Sequence, residues 1–332
     1  DTPALYGSIS LVGGRIDDIV LKQYGQNVEP DSERIHLLHP VGAPKSYYAE
    51  FGWVGASNDL KLPGADTIWK ANQTDLRPGR PVNLTWDNQN GLLFERTYEI
   101  DDGYMITATQ KVTNSKGKAV GLFPYGLIAR SGTPNTLGFY ILHEGPLGVF
   151  DGTLREEDYD DLQETRKVEL SSTGGWIGIT DKYWLAALVP DQKSESTYRF
   201  VHSLKNKDDR YQVDYLGQET RLESGQKIET VNRLFAGAKE VRRLDSYSEQ
   251  YGIKNFDLAV DFGWFYFLTK PFFYAISWLY TYLGNFGLAI IAFTVFVKAV
   301  FFPLANKSYK SMAKMRELTP KMLAMREQFG DD

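Results

Sequence analysis

Four histidines, His36, His39, His143 and His202, are the obvious candidates for acid–base chemistry in this sequence. Ring-opening chemistry on a sugar, for example, needs a histidine and a carboxylate that meet across a cleft. Only His143-Glu144 sets a carboxylate beside a histidine, and adjacent residues of a strand point to opposite faces. That pair therefore reads as structural. The chain has no cysteine, which removes disulfides, thiolate metal sites and cysteine nucleophiles. Metal-ligand spacing, a phosphate-binding glycine loop and a nucleophile elbow are all missing from the sequence. No catalytic residue, no metal and no cofactor is expected.

A different kind of chemistry centres on Lys298, the single charge in the twenty residues 286–305. A run of that length matches a hydrocarbon core of about 30 Å, and a lysine within it is costly unless it faces water, protein or a partner. Two readings stand. The four-carbon stem could carry the ammonium to the nearer headgroups, or the charge could serve a binding function. Thr294, four residues earlier, shares its face and makes a polar stripe. Pro303 removes the hydrogen bond to the carbonyl of Ala299, which predicts a kink near the inner end.

The elements around this run differ sharply in character. Residues 1–250 carry period-2 alternation with turn signals, as in Phe94, Arg96, Tyr98 and Ile100 on one face and Glu95, Thr97 and Glu99 on the other. Strands are predicted over 6–24 (broken at Gly13-Gly14), 92–100, 118–130, 176–180, 184–189, 197–204, 211–216 and 227–236. Tyr104, Ile106, Ala108 and Val112 continue the alternation after a turn at Asp102-Gly103. That dipeptide and Asn90-Gly91 suit hairpins with positive φ, and Asn114-Ser115-Lys116-Gly117 marks a further turn. Many strands without βαβ spacing predict an antiparallel sandwich. A helix over 239–251 closes the region through Val241, Leu244 and Tyr247. The charged stretch 159–170 reads as a solvated excursion between strands.

At Phe262 the composition becomes strongly aromatic. Thr269 is placed as a cap and Pro271 in the first turn of an amphipathic helix. Its fourteen residues reach about 21 Å, too short to cross a bilayer, and Trp and Tyr prefer the headgroup level. Trp264, Phe272, Trp278 and Tyr280 are the expected anchors of a helix lying in the outer interface, with a second spanning helix over 262–283 or an ordinary core helix as alternatives. Gly284-Asn285 ends the pattern. After 305, a separate tail helix is expected to start with Thr319 as cap and Pro320 as first residue. It would place Met322, Met325 and Phe329 on one face and stop at Gly330. Docking on anionic lipid or a partner, or simple solvation, would each suit such a helix.

Charge orients the whole. Residues 261–332 hold eight Lys or Arg against five Asp or Glu, leaving 29 basic and 37 acidic residues in 1–260. An acidic bulk excludes a nucleic-acid-binding domain, which needs a basic footprint. The mean hydropathy of −0.35, typical of a soluble protein, averages these two unlike regions. Lys307, Lys310, Lys314, Arg316, Lys321 and Arg326 follow the apolar run, and a basic flank marks the cytoplasmic side. The acidic region then lies outside, which in a bacterium is the periplasm. The chain opens at Asp1 without a signal and stops at Gly330-Asp331-Asp332, so trimming or processing is expected, with an earlier anchor or cleaved signal before Asp1.

Specific motifs add a resemblance. The run Asn285-Phe-Gly-Leu-Ala-Ile-Ile, then Thr294-Val-Phe-Val-Lys298 and Phe302-Pro303-Leu304, resembles the second membrane helix of bacterial members of the YidC/Oxa/Alb insertase family. Ser311-Met-Ala-Lys-Met-Arg316, Pro320-Lys321 and Ala324-Met-Arg-Glu327 are similar to the start of that family's first cytoplasmic loop, and Asp257-Leu-Ala-Val-Asp-Phe-Gly-Trp264 to the approach to its interfacial helix. The resemblance implies a mainly β protein: a galactose-mutarotase-like antiparallel β-supersandwich, an interfacial amphipathic helix and a transmembrane helix. The corresponding domains would be 1–250 (periplasmic, with its closing helix), 251–284 (linker and interfacial helix), 285–305 (transmembrane) and 306–332 (start of the cytoplasmic region).

It also implies insertion and chaperoning of inner-membrane proteins, with no covalent chemistry. Implied partners are client membrane proteins, Sec translocon components (SecYEG, SecDF), the ribosome through the cytoplasmic region, and membrane lipids, with no nucleic-acid substrate. The family's second helix supplies a positive charge to a hydrophilic groove that attracts acidic client tails. The matching position is Lys298, with Thr294 lining the groove. The common family residue is Arg, and lysine keeps the charge without the five-donor fork. The rival class is a membrane-anchored, periplasmic sugar-binding or mutarotase-like protein.

Overall fold

The computed structural model describes residues 1–29, 31–115, 118–136, 138 and 142–330, without the side chains of 317, 321, 327 and 329. It divides into two compact units, Asp1–Asp261 and Phe262–Asp332. Lys116-Gly117 of one expected turn and Asp331-Asp332 lie outside the described residues, as do the side chains of Lys321 and Phe329.

In the first unit the opening strands are β1 (Leu5–Ser10), β2 (Arg15–Gly25), β3 (Arg34–Leu38), β4 (Tyr47–Gly55), β5 (Lys70–Ala71) and β6 (Val82–Asp87). Next come β7 (Leu92–Ile100), β8 (Met105–Asn114), β9 (Val120–Ser131), β10 (Gly145–Phe150), β11 (Thr153–Glu156), helix α1 (Tyr159–Thr165) and β12 (Lys167–Thr173). The unit is completed by β13 (Trp176–Thr180), β14 (Trp184–Val189), β15 (Glu195–Lys205), β16 (Asp208–Gly217), β17 (Thr220–Leu222), β18 (Lys227–Ala238) and helix α2 (Val241–Tyr251).

These strands form two nine-stranded sheets. One has the order β1-β2-β4-β9-β16-β15-β12, with β3 beside β2 and β17 beside β9. The other runs β11-β10-β13-β14-β18-β8-β7-β6-β5, and every pairing in both is antiparallel. The expected mainly β antiparallel fold is therefore present.

Side chains cross between the sheets. In β7 the face predicted from alternation, Phe94, Arg96, Tyr98 and Ile100, points inward: the first three are buried and Ile100, at the strand's end, is half-buried, with Leu92 buried on the same side. Arg96, 2% exposed, donates to the Gly14 carbonyl (3.0 Å) and the Phe51 carbonyl of the opposite sheet and lies 4.7 Å over the Trp69 ring. The Tyr98 hydroxyl donates to the same Gly14 carbonyl at 2.8 Å. Gly13 and Gly14, at φ +78° and +65°, make the turn between β1 and β2 that presents this carbonyl inward. Alongside, Arg15 pairs with Glu50 at 3.0 Å, and Glu50 also accepts from the Tyr125 hydroxyl at 2.7 Å. Arg96 and Arg15 thus each meet acceptors in the interior, as low-dielectric surroundings require, although the Arg96 Nε has none.

Helix α2 forms where the sequence places it, with Val241, Leu244 and Tyr247 buried. The Tyr247 hydroxyl bonds Asp101 and accepts from the Tyr104 amide, while Tyr24 of β2 and Tyr104, in the bend before β8, both donate to Glu240. The chain stays in the core past 250, because Ile253, Phe256 and Ala259 are buried.

Several local expectations change. Residues 159–170 are not a solvated excursion: α1 buries Tyr159 and Leu162, and β12 pairs with β15. Asn90-Gly91 does place Gly91 at φ +95°, but neither Asp102 nor Gly103 has positive φ. That turn is held by the Asp101 carboxylate, which accepts from the Gly103 and Met105 amides. Gly103 is required for space, since a β-carbon there would overlap the Tyr247 hydroxyl and the Arg243 guanidinium.

The second unit is a helical pair, α3 (Tyr266–Leu283) and α4 (Phe286–Phe329). Helix α3 starts a turn earlier than expected. Thr269 is no cap, since its hydroxyl donates to the Phe262 and Phe265 carbonyls, and Pro271 lies inside the helix. Gly284 ends α3 at φ +62°, and Asn285 caps α4 by accepting from the Leu288 amide. Helix α4 runs unbroken through Pro303 and Pro320, so the expected separate tail helix does not exist. Thr319 is interior, its hydroxyl donating to the Met315 carbonyl at 2.9 Å. Gly330 stops the helix as expected.

Candidate functional site

Among the described residues, α4 is the one helix long and apolar enough to cross a membrane. Thr294 and Lys298 lie on it one turn apart, both exposed. The Thr294 hydroxyl donates to the Ile290 carbonyl at 2.8 Å, leaving its oxygen lone pair outward. Lys298 makes no hydrogen bond or ion pair with any described residue. Its ammonium stands on an apolar cylinder with three donors uncommitted.

Helix α3 packs antiparallel on the opening turns of α4. Tyr280 meets Phe286 (ring centroids 5.7 Å apart) and Phe272 meets Phe293 (5.0 Å). Between these ring pairs fall Ser277 and Ala289, the most buried residues of their helices. Phe272 is therefore half-buried in a helix–helix contact, and Ser277 is enclosed. Phe267, Trp278 and Tyr282 project from the opposite side of α3 and are exposed, as is Trp264 just before it (98%). Tyr280 is exposed while its ring touches Phe286. The small residues at the crossing carried no signal in the sequence: only the spacing of aromatics pointed to this segment.

The histidines of the first unit are spent locally. His143 and Glu144 sit in the loop before β10 rather than on a strand. His143 Nε2 lies 3.0 Å from the Pro146 carbonyl and Nδ1 3.4 Å from Asp158, while Glu144 accepts from the Lys182 amide. His202 pairs with Asp209 at 2.8 Å, and His36 stacks on His39. No group of three or more potential metal ligands occurs among the described residues.

The Lys239 ammonium donates to Thr180 at 2.8 Å. Burial pushes its pKa down to about 8, against the pull of Asp181, Glu144, Asp261 and Glu156. Nearby, Arg130 pairs with Asp181 at 2.7 Å over the Tyr47 ring. This cluster ties β9 and β13 to the end of β18.

Comparison with known proteins accords with both units. Residues 1–275 match the family model of the YidC periplasmic domain, and residues 278–332 match that of the 60Kd inner membrane protein. The membrane protein insertase YidC of Methylorubrum extorquens is 47% identical over all of this chain and 55% of its own length. The corresponding proteins of Beijerinckia indica (48%, 56% of its length) and Granulibacter bethesdensis (47%, 59%) are similar to the same extent. The chain thus spans a little over half the length of these curated relatives.

Among solved structures, a galactose mutarotase related enzyme from Lactobacillus acidophilus is similar over 71% of this chain and 95% of its own, at 9% identity and a TM-score of 0.47. A galactose mutarotase-like protein from Lactobacillus casei gives 12% identity over 71% and 98%, with a TM-score of 0.46. The sequence relatives, which match this chain over its whole length and are named as insertases rather than enzymes, decide the family: this chain belongs to the YidC membrane protein insertases.

Proposed function

We propose that Lys298, with Thr294 beside it, is the part of this chain that engages client proteins during membrane insertion. The observation that carries the reading is an exposed ammonium, unpaired among the described residues, within the otherwise uncharged apolar run 286–305 of α4. Such a charge is tolerated where water or a partner meets it, and it attracts acidic client segments over short range. In this reading the β domain is periplasmic, 286–305 spans the inner membrane with a kink at Pro303, and the basic residues after 305 face the cytoplasm. Trp264, Trp278 and Tyr280 anchor the outer interface and meet lipid, with Phe272 contributing through Phe293. The Sec translocon and the ribosome are the partners that the family suggests for the two ends.

The test uses the full-length protein and one client whose translocated tail is either acidic or neutralised. Lys298→Arg retains insertion of both. Lys298→Ala lowers insertion of the acidic-tailed client by about tenfold, as the loss of one charge pair near water allows, and leaves the neutral one nearly unchanged. Equal loss for both tails would remove the charge-attraction role.

A further inference from the structure

We propose that the crossing of α3 and α4 at Ser277 and Ala289 is a positioning contact that sets the rotation of α4 about its axis, and thereby the direction in which Lys298 projects. The proposal rests on the reading of Lys298 as a client-facing charge. Three residues of α4 define the face that meets α3: Phe286 and Phe293 through their rings, and Ala289 through its burial between them. At 3.6 residues per turn these share one stripe, and Thr294 and Lys298 lie roughly 110–150° around the helix from it. The polar stripe is therefore on a flank that α3 leaves bare, consistent with the exposure of both residues.

The contact is built to fix rotation. Two ring pairs about 10–12 Å apart along the axes form two separate points of contact. The small side chains between them let the backbones approach, so neither helix can turn without losing a ring pair or driving a larger residue into the crossing. The Gly284-Asn285 turn joins the helices but carries a single φ of +62° and one capping bond, which does not by itself define an azimuth.

The experiment reads orientation directly. Single cysteines are placed at 294, 295, 298 and 299 of the full-length protein in membranes, on a background free of other cysteines, and alkylated with a small hydrophilic maleimide. Thiols react as thiolates and need water, so 294 and 298 label about tenfold faster than 295 and 299. Ala289→Leu, which wedges the crossing, reduces that contrast to about twofold or less, and so does Ser277→Leu from the other side. Ala289→Ser keeps it. A cysteine pair at 277 and 289 is joined by a short bifunctional thiol reagent, a readout that needs no larger side chain at the crossing.

A contrast unchanged in both leucine variants, or absence of the 277–289 cross-link, overturns the proposal. Labelling does not depend on the charge at 298. A tolerated Lys298→Ala would therefore remove the client-binding role and leave this result standing, whereas an unchanged contrast would remove the positioning role alone.

Discussion

Arg96 and Lys298 are both cations in apolar surroundings, and the protein treats them in opposite ways. Arg96 is enclosed between two sheets, its guanidinium spread over the Gly14 and Phe51 carbonyls and the Trp69 ring. Lys298 has no described partner and faces outward from a helix. Burial of a charge is tolerable when the fold itself supplies acceptors, and a fixed guanidinium fork suits fixed acceptors. A charge that the fold leaves unmet is available to something else. The first arrangement stabilises a domain and the second recruits a partner, so substitution should separate stability from function.

The largest effect is expected at Arg96. Arg96→Met removes the charged donor to both carbonyls and leaves Gly14 with Tyr98 alone, and loss of charged hydrogen bonds of this kind costs about 3 kcal/mol or more. Urea denaturation of residues 1–261 should show it, with Arg96→Lys rescuing little because one ammonium cannot reach both acceptors and stack on Trp69. A variant near wild-type stability would mean that Arg96 is not the link between the sheets. Lys298→Met, by contrast, should leave the amount of folded protein in membranes unchanged.

Next comes Gly103, where the turn approaches α2. Gly103→Ala forces a methyl into the Tyr247 hydroxyl and the Arg243 guanidinium, an overpacking worth about 1–3 kcal/mol. Hydrogen exchange of α2 should accelerate more than that of β13 or β14. Uniform protection would place the strain elsewhere.

The smallest effect concerns Lys239 and carries a sign in pH. Its folded pKa of about 8 lies below the ordinary lysine value of 10.5. Between those values the unfolded chain binds more protons, so this residue makes stability rise with pH across that window. Lys239→Met should therefore be favoured most at pH 7, with its advantage over the native domain shrinking by pH 10. A difference independent of pH would show that burial does not depress Lys239.

Much of the fold was legible where one face of a strand is buried and the other wet. Strands β7 and β15, whose burial alternates, lie where the period of two places them. Strands β4 and β10 were not read, because β10 is buried at all six positions and β4 at six of nine, so a period of two has little to alternate with. α1 was missed because its two buried residues, Tyr159 and Leu162, are surrounded by acids.

In the second unit, Thr-Pro read as a helix start at 319–320, yet the helix absorbs it: Thr319 bonds back to Met315 and water can meet the carbonyl that Pro320 leaves open. The site divides in the same way. Lys298 stands out in sequence because a charge in an apolar run is conspicuous. Ser277 and Ala289 do not, since smallness matters only once a second helix is known to cross there.

Charge reversal across the contact between Lys298 and its client tests the central claim most directly. Insertion of one client is measured with an acidic and with a basic translocated tail, against native full-length protein and Lys298→Glu. The account predicts that Lys298→Glu loses the acidic-tailed client and recovers the basic-tailed one, restoring an opposite-sign pair. Failure of the basic tail to recover, with both tails lost alike, would contradict a role for the charge at 298 in attracting the client.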